Sequence, residues 1–376
     1  MPDDDDRARA RHLDTERAAL GGVGAEQIAE PATHGHGDEL AAPAPYDVWS
    51  RVPSIDGSVA ALGEATYYDR PVIKEPVWIW TVPAYFHTGG AAGAAAVLGA
   101  VAQLRGGLDG LVGRCRWIAT GGSALGTVFL IADLGRPVRF LNMLRVLRPT
   151  SPMSVGSWLL AAMSGAATVS AVGRGRGGAA GALARFAGLG GGVLGGPLAG
   201  YTGVLLSNTA VPAWQGARRA LPLLFAGSSV VAAASLLELL DLDDHEQAVV
   251  RGFHTAGALW ELAAGAAVER EVGRVERAAR PYHEGASGAL WTAAKAATAA
   301  SLLVSLLPGG GRARRALSGL LGTLGSLALR FAVFQAGRVS SRDPRATFQQ
   351  QRAGRGAAEV TATPAVTGPG RRALAG

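Results

Sequence analysis

The apolar positions of this chain fall in long, nearly unbroken runs separated by short polar breaks, with neither a helical nor a strand period. Runs of roughly 18–25 residues match the length a helix needs to cross a bilayer. They predict spans at 78–103, 115–132, 153–173, 184–207, 219–240, 252–269, 287–307 and 315–336. The expected fold is therefore all-α, an integral membrane bundle of about eight transmembrane helices over residues 78–336. Residues 1–45 are charged and rich in Ala, Gly and Pro, which predicts a disordered head. Residues 46–77 carry aromatics with Pro53, Pro71 and Pro76 and predict an ordered segment along the interface, while 337–376 predict a polar, disordered tail.

Details at the run ends fit this reading. Pro83 stands in the first turn or so of its span, where a missing backbone N–H is tolerated. Trp78, Trp80, Trp158 and Trp214 lie near span ends, as interfacial anchors do. Ser151 can cap the third span and Pro152 suits its first position. Gly89 and Gly93 form a GxxxG spacing, and the run LGGGVLGG (189–196) lies inside a span; both read as close helix packing. An even number of crossings puts both termini on one face, here called S, with loops 133–152, 208–218 and 270–286. Basic residues in the loops are nearly balanced, and the tails tip the count toward S, which the positive-inside rule places in the cytoplasm.

Composition narrows the function. Only 17% of the 376 residues are charged and 48% are hydrophobic, against about 25% charged in soluble domains. The net charge of +7 does not signal nucleic acid, because the arginines sit in loops and tails without a nucleic-acid-binding motif. Lys74 and Lys295 are the only lysines amid abundant Arg, Ala and Gly, a bias of GC-rich bacterial genomes, so a bacterial plasma membrane is expected. No signal peptide is expected, since Asp3 to Asp6 open the chain and no apolar run follows within thirty residues. The single cysteine, Cys115, excludes an intrachain disulfide and an iron–sulfur cluster held by this chain, which takes about four thiolates. Only His87 and His254 fall in or at spans, and they start at opposite faces, so no bis-histidine haem is expected, nor any metal site. No phosphate-binding loop appears in a strand–helix context.

Ionisable and phenolic residues inside spans are costly and are candidates for chemistry. Tyr85, His87, Asp133, Tyr201 and Arg330 all fall toward the S ends of their spans. Tyr85 and His87 point in nearly opposite directions at 100° per residue, so one pocket holds one of them easily. Arg136 follows Asp133 by three residues, on the same side of a continuing helix. Tyr and His donate and shuttle protons, and a carboxylate links them to water, which is what binding and protonating a quinone requires. Each also has a plainer reading: belt tyrosines, a histidine bonded to backbone, a helix-end ion pair, an arginine reaching the interface. Glu261 stands near the middle of the sixth span, in one stripe with His254 and Glu269, and such a stripe can carry protons or bond a neighbouring helix. A proton-coupled transporter or proton channel centred on Glu261 is thus an alternative.

Five stretches carry a resemblance: YYDRPVIKEPVWIWTVPAYFHTGGAAG (67–93), ADLGRPVRFLNMLRVLRPTSPMSVGSW (132–158), GYTGVLLSNTAVPAW (200–214), ALWELA (258–263) and FAVFQAGRVSSRDPRATF (331–348). Together they resemble the NrfD/polysulfide reductase membrane-subunit family. The resemblance implies a haem-free, quinone-interacting membrane anchor. Such an anchor works beside a ferredoxin-like iron–sulfur subunit, often with a molybdopterin catalytic subunit. It implies a quinone pocket at Tyr85, where some members have His, and Tyr201, with His87 as the alternative ligand. A second-span carboxylate corresponds to Asp133 and a sixth-span acid to Glu261. On this reading menaquinone or a related quinone binds near S, between Tyr85 or His87 and Tyr201. Asp133 and Glu261 relay protons, and Arg330 balances negative charge on the quinone or pairs with a carboxylate. Arg136, Arg139, Arg145 and Arg148 meet either the partner subunit or anionic headgroups. The chain acts as an electron-transfer subunit and is not catalytic alone.

Overall fold

A computed structural model describes residues 71–136, 138–308 and 311–352. The expected head 1–45, most of the interfacial segment and the tail beyond 352 lie outside these residues. The described residues are helical, with no strand among them. Eight helices are long: α1 (Thr81–Arg105), α2 (Asp109–Leu134), α4 (Pro152–Val172), α5 (Gly178–Ser207), α7 (Ala220–Glu238), α8 (Asp244–Val272), α10 (Gly285–Leu306) and α11 (Arg312–Arg342). Between them lie the short α3 (Val138–Met143), α6 (Pro212–Gln215) and α9 (Glu276–Ala279), and α12 (Pro344–Arg352) follows.

Six of the long helices are long and apolar enough to cross a membrane: α2, α4, α5, α7, α10 and α11. α1 and α8 are long enough but less apolar. Tyr85, His87 and several glycines lower the mean hydropathy of the first, and the charged ends and Glu261 that of the second. α1 lies at the centre, packed on α2, α5, α7 and α11. Its approach to α5 rests on two glycines: a Cβ on Gly93 would come 2.6 Å from the Gly195 carbonyl oxygen, and one on Gly195 2.4 Å from that of Gly93. Dispersion between backbones this close helps hold membrane helices where no water drives them together.

Helix ends follow local chemistry. Ser151 caps α4 by accepting from the Ser154 N–H, and Pro152 occupies its first position. α8 starts well before the expected 252, because Asp243 and Glu246 form a reciprocal capping box inside the acidic DLDDHEQ stretch. Gly135, with φ +68°, ends α2. The chain beyond 336 is no simple tail: α11 runs on to Arg342, and Ser340, Ser341, Ala346 and Thr347 are buried. Gly337 makes this possible, since a Cβ there would fall 2.0 Å from the Trp214 ring. Trp214, expected at the interface, is fully buried; its indole N–H donates to the Val333 carbonyl at 2.7 Å and its ring stacks on Trp78 at 6.0 Å. Trp80 and Trp158 keep the exposure expected of anchors.

Candidate functional site

The start of α1, the end of α2, the start of α4 and the end of α5 meet around one cleft of about 80 Å³. These four ends therefore lie on one side of the bundle. Tyr85 reaches the cleft from α1, Asp133 from α2 and Tyr201 from α5, with Ser157 and Met153 from α4. Val82, Phe86, Leu130 and Leu205 give it apolar walls, and Trp78 and Met143 flank it from the segments outside the long helices.

The polar atoms of the cleft are not equivalent. The Tyr201 hydroxyl donates to the Pro152 carbonyl at 2.8 Å, so its proton is engaged while its oxygen can still accept. The Tyr85 hydroxyl has no hydrogen-bond partner among the described residues, although the residue is only 4% exposed. It can donate to whatever enters. One oxygen of Asp133 accepts the Ile79 N–H at 3.1 Å, and the other is unengaged among the described residues. Asp133 thus ties down the segment before α1 as well as lining the cleft. It makes no ion pair with Arg136, because the turn at Gly135 takes the chain off the helix before the third residue is reached.

That segment, 71–80, is pinned in three places: by Asp133 at Ile79, by Trp214 at Trp78, and by a clamp on Glu75. Arg338 donates to Glu75 at 2.6 Å, and Arg342 donates twice, at 2.7 and 2.8 Å. The hydrogen bond from Arg342, with further help from Arg338, holds the Glu75 carboxyl below its ordinary value despite some desolvation.

The other expected site residues lie elsewhere. His87 faces away from the cleft, as the helical geometry requires, with Nδ1 3.5 Å from the Ser326 hydroxyl of α11. Arg330 neither lines the cleft nor reaches the interface. Because α11 continues to Arg342, Arg330 is twelve residues from its end (342 − 330) and only 1% exposed. Its Nη2 donates to the Phe225 carbonyl at 2.8 Å and the Ser229 hydroxyl at 2.9 Å, and the guanidinium lies 4.0 Å over the Phe225 ring. Its Nε and Nη1 are buried without partners.

Glu261 is 2% exposed and accepts from the Thr298 hydroxyl at 2.6 Å, leaving its second oxygen without a partner. The stripe along α8 does form, and α10 answers each of its members. His254 bonds Ser301, Glu261 bonds Thr298, and Glu269 is held by Trp291 at 2.6 Å and by Lys295. Glu238 was not foreseen: at the end of α7 it pairs with the fully buried His254 at 2.8 Å. The available signal was a single carboxylate in the apolar run SLLELL. Nothing in the spacing marks the match with His254 on the next helix.

A protein-family model described as polysulfide reductase matches residues 65–342 of the chain. No curated protein matches it.

Proposed function

Since that match spans most of its length, the chain belongs to the polysulfide reductase family, and from this premise we propose that it binds a quinone in the cleft between Tyr85 and Tyr201. It is a multi-pass membrane protein and a membrane subunit of an oxidoreductase. In our reading it lies in a bacterial plasma membrane with about eight crossings. It exchanges electrons with a ferredoxin-like iron–sulfur subunit, itself joined to a molybdopterin catalytic subunit. Menaquinone or a related quinone is the substrate.

The observation that carries this reading is the convergence of two phenols and a carboxylate on one apolar-walled cleft. A quinone supplies two carbonyl oxygens that must be bonded, and two protons move when it is reduced or its quinol oxidised. Tyr85, whose hydroxyl is unengaged, donates to one oxygen. Tyr201 can turn its hydroxyl from the Pro152 carbonyl toward the other, or accept from a hydroxyl of the reduced ring. The unengaged oxygen of Asp133 accepts or returns a proton at the cleft edge. Apolar side chains exclude water from the ring. Arg330 and His87 act from behind the cleft through the field of the bundle and do not touch the substrate.

The test is the affinity of a quinone analogue for the purified chain, with quinone-linked turnover of the complex measured alongside. Tyr85→Phe should weaken binding about tenfold, equivalent to one lost hydrogen bond of about 1.4 kcal/mol. Unchanged affinity in both Tyr85→Phe and Tyr201→Phe would remove the cleft as the site.

A second reading rests on a different observation, the line of polar groups from the buried Glu238 and His254 through the buried Glu261 to the half-buried Glu269. Proton transport along α8 and α10 would use that line. Proton flux into liposomes driven by a pH gradient, with no redox partner present and abolished by Glu261→Gln, would favour it.

A further inference from the structure

Residues 135–151 join α2 to α4, two of the helices long and apolar enough to cross a membrane. Where those helices stop, the chain leaves the hydrocarbon, and the joining segment must run near the bilayer surface. It contains Arg136, Arg139, Arg145 and Arg148 and no carboxylate. All four arginines are exposed and none has an ion-pair partner among the described residues, where Arg139 reaches only the Leu134 carbonyl, at 3.4 Å. Between them stand apolar side chains that are just as exposed: Val138 at 67%, Leu141 at 63%, Val146 at 62% and Leu147 at 54%. The short helix α3 buries none of its residues.

Two features of this surface conflict in any single solvent. Four large apolar side chains are poorly placed in water, and four unpaired guanidiniums are poorly placed in hydrocarbon. The boundary between acyl chains and headgroups suits both, with the apolar side chains turned inward and the guanidiniums on phosphates. An uncompensated cluster of arginines selects an anionic surface over a neutral one. The segment also adjoins the cleft, which Leu134 and Met143 line.

We propose that the described residues of this connection, Gly135, Arg136 and 138–151, form an anionic-phospholipid binding surface at the mouth of the cleft, with Arg136, Arg139, Arg145 and Arg148 on lipid phosphates and Val138, Leu141, Val146 and Leu147 in the acyl boundary. This assignment rests on the membrane placement of α2 and α4 alone, so it stands or falls apart from the quinone reading.

The experiment uses the full chain in nanodiscs of phosphatidylcholine with or without phosphatidylglycerol. A nitroxide is attached at the exposed Asn142→Cys position, Cys115 being buried. The ratio of collisions with oxygen to those with a water-soluble nickel complex should be higher than for a label in water, as it is at the boundary of headgroups and acyl chains. Native mass spectrometry should find phosphatidylglycerol retained over phosphatidylcholine. Replacing all four arginines by Gln should cut that retention severalfold, while replacement by Lys should preserve most of it. Because these side chains are exposed, thermal denaturation of each variant should match the parent. The proposal is overturned by a water-exposed label in both lipids. It is overturned equally if the Gln variant keeps its phosphatidylglycerol but loses co-purifying polypeptides, which would make this surface a protein-docking face.

Discussion

The Tyr201 hydroxyl donates to the Pro152 carbonyl at 2.8 Å, joining the late part of α5 to the first residue of α4 across the cleft. That carbonyl is committed to a side chain from another helix, so Tyr201 is both a wall of the cleft and a brace between two helices. Tyr85, opposite, is also buried, but its hydroxyl bonds nothing among the described residues.

This difference separates structural from ligand effects. Tyr201→Phe should lower stability by about 1 kcal/mol, the net worth of one hydrogen bond. Tyr85→Phe should leave stability unchanged while reducing quinone affinity. Thermal denaturation in one detergent, with and without a quinone analogue, reads both effects. Equal stability losses in the two variants would contradict the assignment of a free hydroxyl to Tyr85.

Gly156 supplies a second handle on the same residue. A Cβ at this position would fall 1.8 Å from Cζ of Tyr201 and 2.0 Å from its hydroxyl oxygen. Gly156→Ala must therefore displace the ring or separate α4 from α5, a form of overpacking that costs about 1–3 kcal/mol. The expected outcome is a less stable chain that has also lost quinone-analogue binding. The control is Gly165→Ala on the same helix, where a Cβ meets nothing within 4 Å. Normal binding by Gly156→Ala would show that the position of Tyr201 does not matter to the cleft.

The long helices were legible because an apolar run has one stable form in a bilayer, a helix whose backbone satisfies itself. Opposed side-chain directions for Tyr85 and His87 followed from helical geometry, and the cleft bears them out. Helix ends were less legible where polar residues continue a helix. The capping box at Asp243 and the stretch from Gly337 to Arg342 carry helices past their apolar runs, and the second extension is what places Arg330 well inside its helix. Pairings between helices left no trace in the spacing. Asp133 meets the backbone of Ile79 rather than Arg136, and Trp214 enters the core because Gly337 clears space for it.

The clamp on Glu75 gives a pH dependence. Its carboxyl is held below the ordinary value of 4.5, first by the hydrogen bond from Arg342. A group whose value is lowered on folding contributes stability above its unfolded value and loses that contribution as pH falls through its folded one. Anchoring of residues 71–80 should therefore be full above about pH 4.5 and weaken below it. The effect should be modest, because the Arg342 side chain is 62% exposed and solvent screens the pair. Limited proteolysis ahead of α1 at graded pH tests this. Glu75→Gln should show the loosened pattern at neutral pH and no further change on acidification. A cleavage pattern independent of both pH and the substitution would mean that Trp78 and Asp133 hold the segment without the clamp.

The pair of His254 and Glu238 allows the strongest stability prediction. The His254 side chain is completely buried and that of Glu238 is 7% exposed; Nδ1 and Oε1 stand 2.8 Å apart, and Nε2 of the ring is bonded to Ser301. Removing one member of such a pair leaves the other buried without its partner, at a cost of about 3–5 kcal/mol. Glu238→Ala should pay that cost. Glu238→Gln keeps an oxygen acceptor for a ring N–H and should cost clearly less. Adding His254→Leu to Glu238→Ala should recover part of the loss, since the orphaned ring is then gone. A double-mutant cycle read by thermal denaturation gives the coupling directly. Strictly additive losses in that cycle would mean that the contact at 2.8 Å does not couple the two groups, and the polar line along α8 would then begin at Glu261.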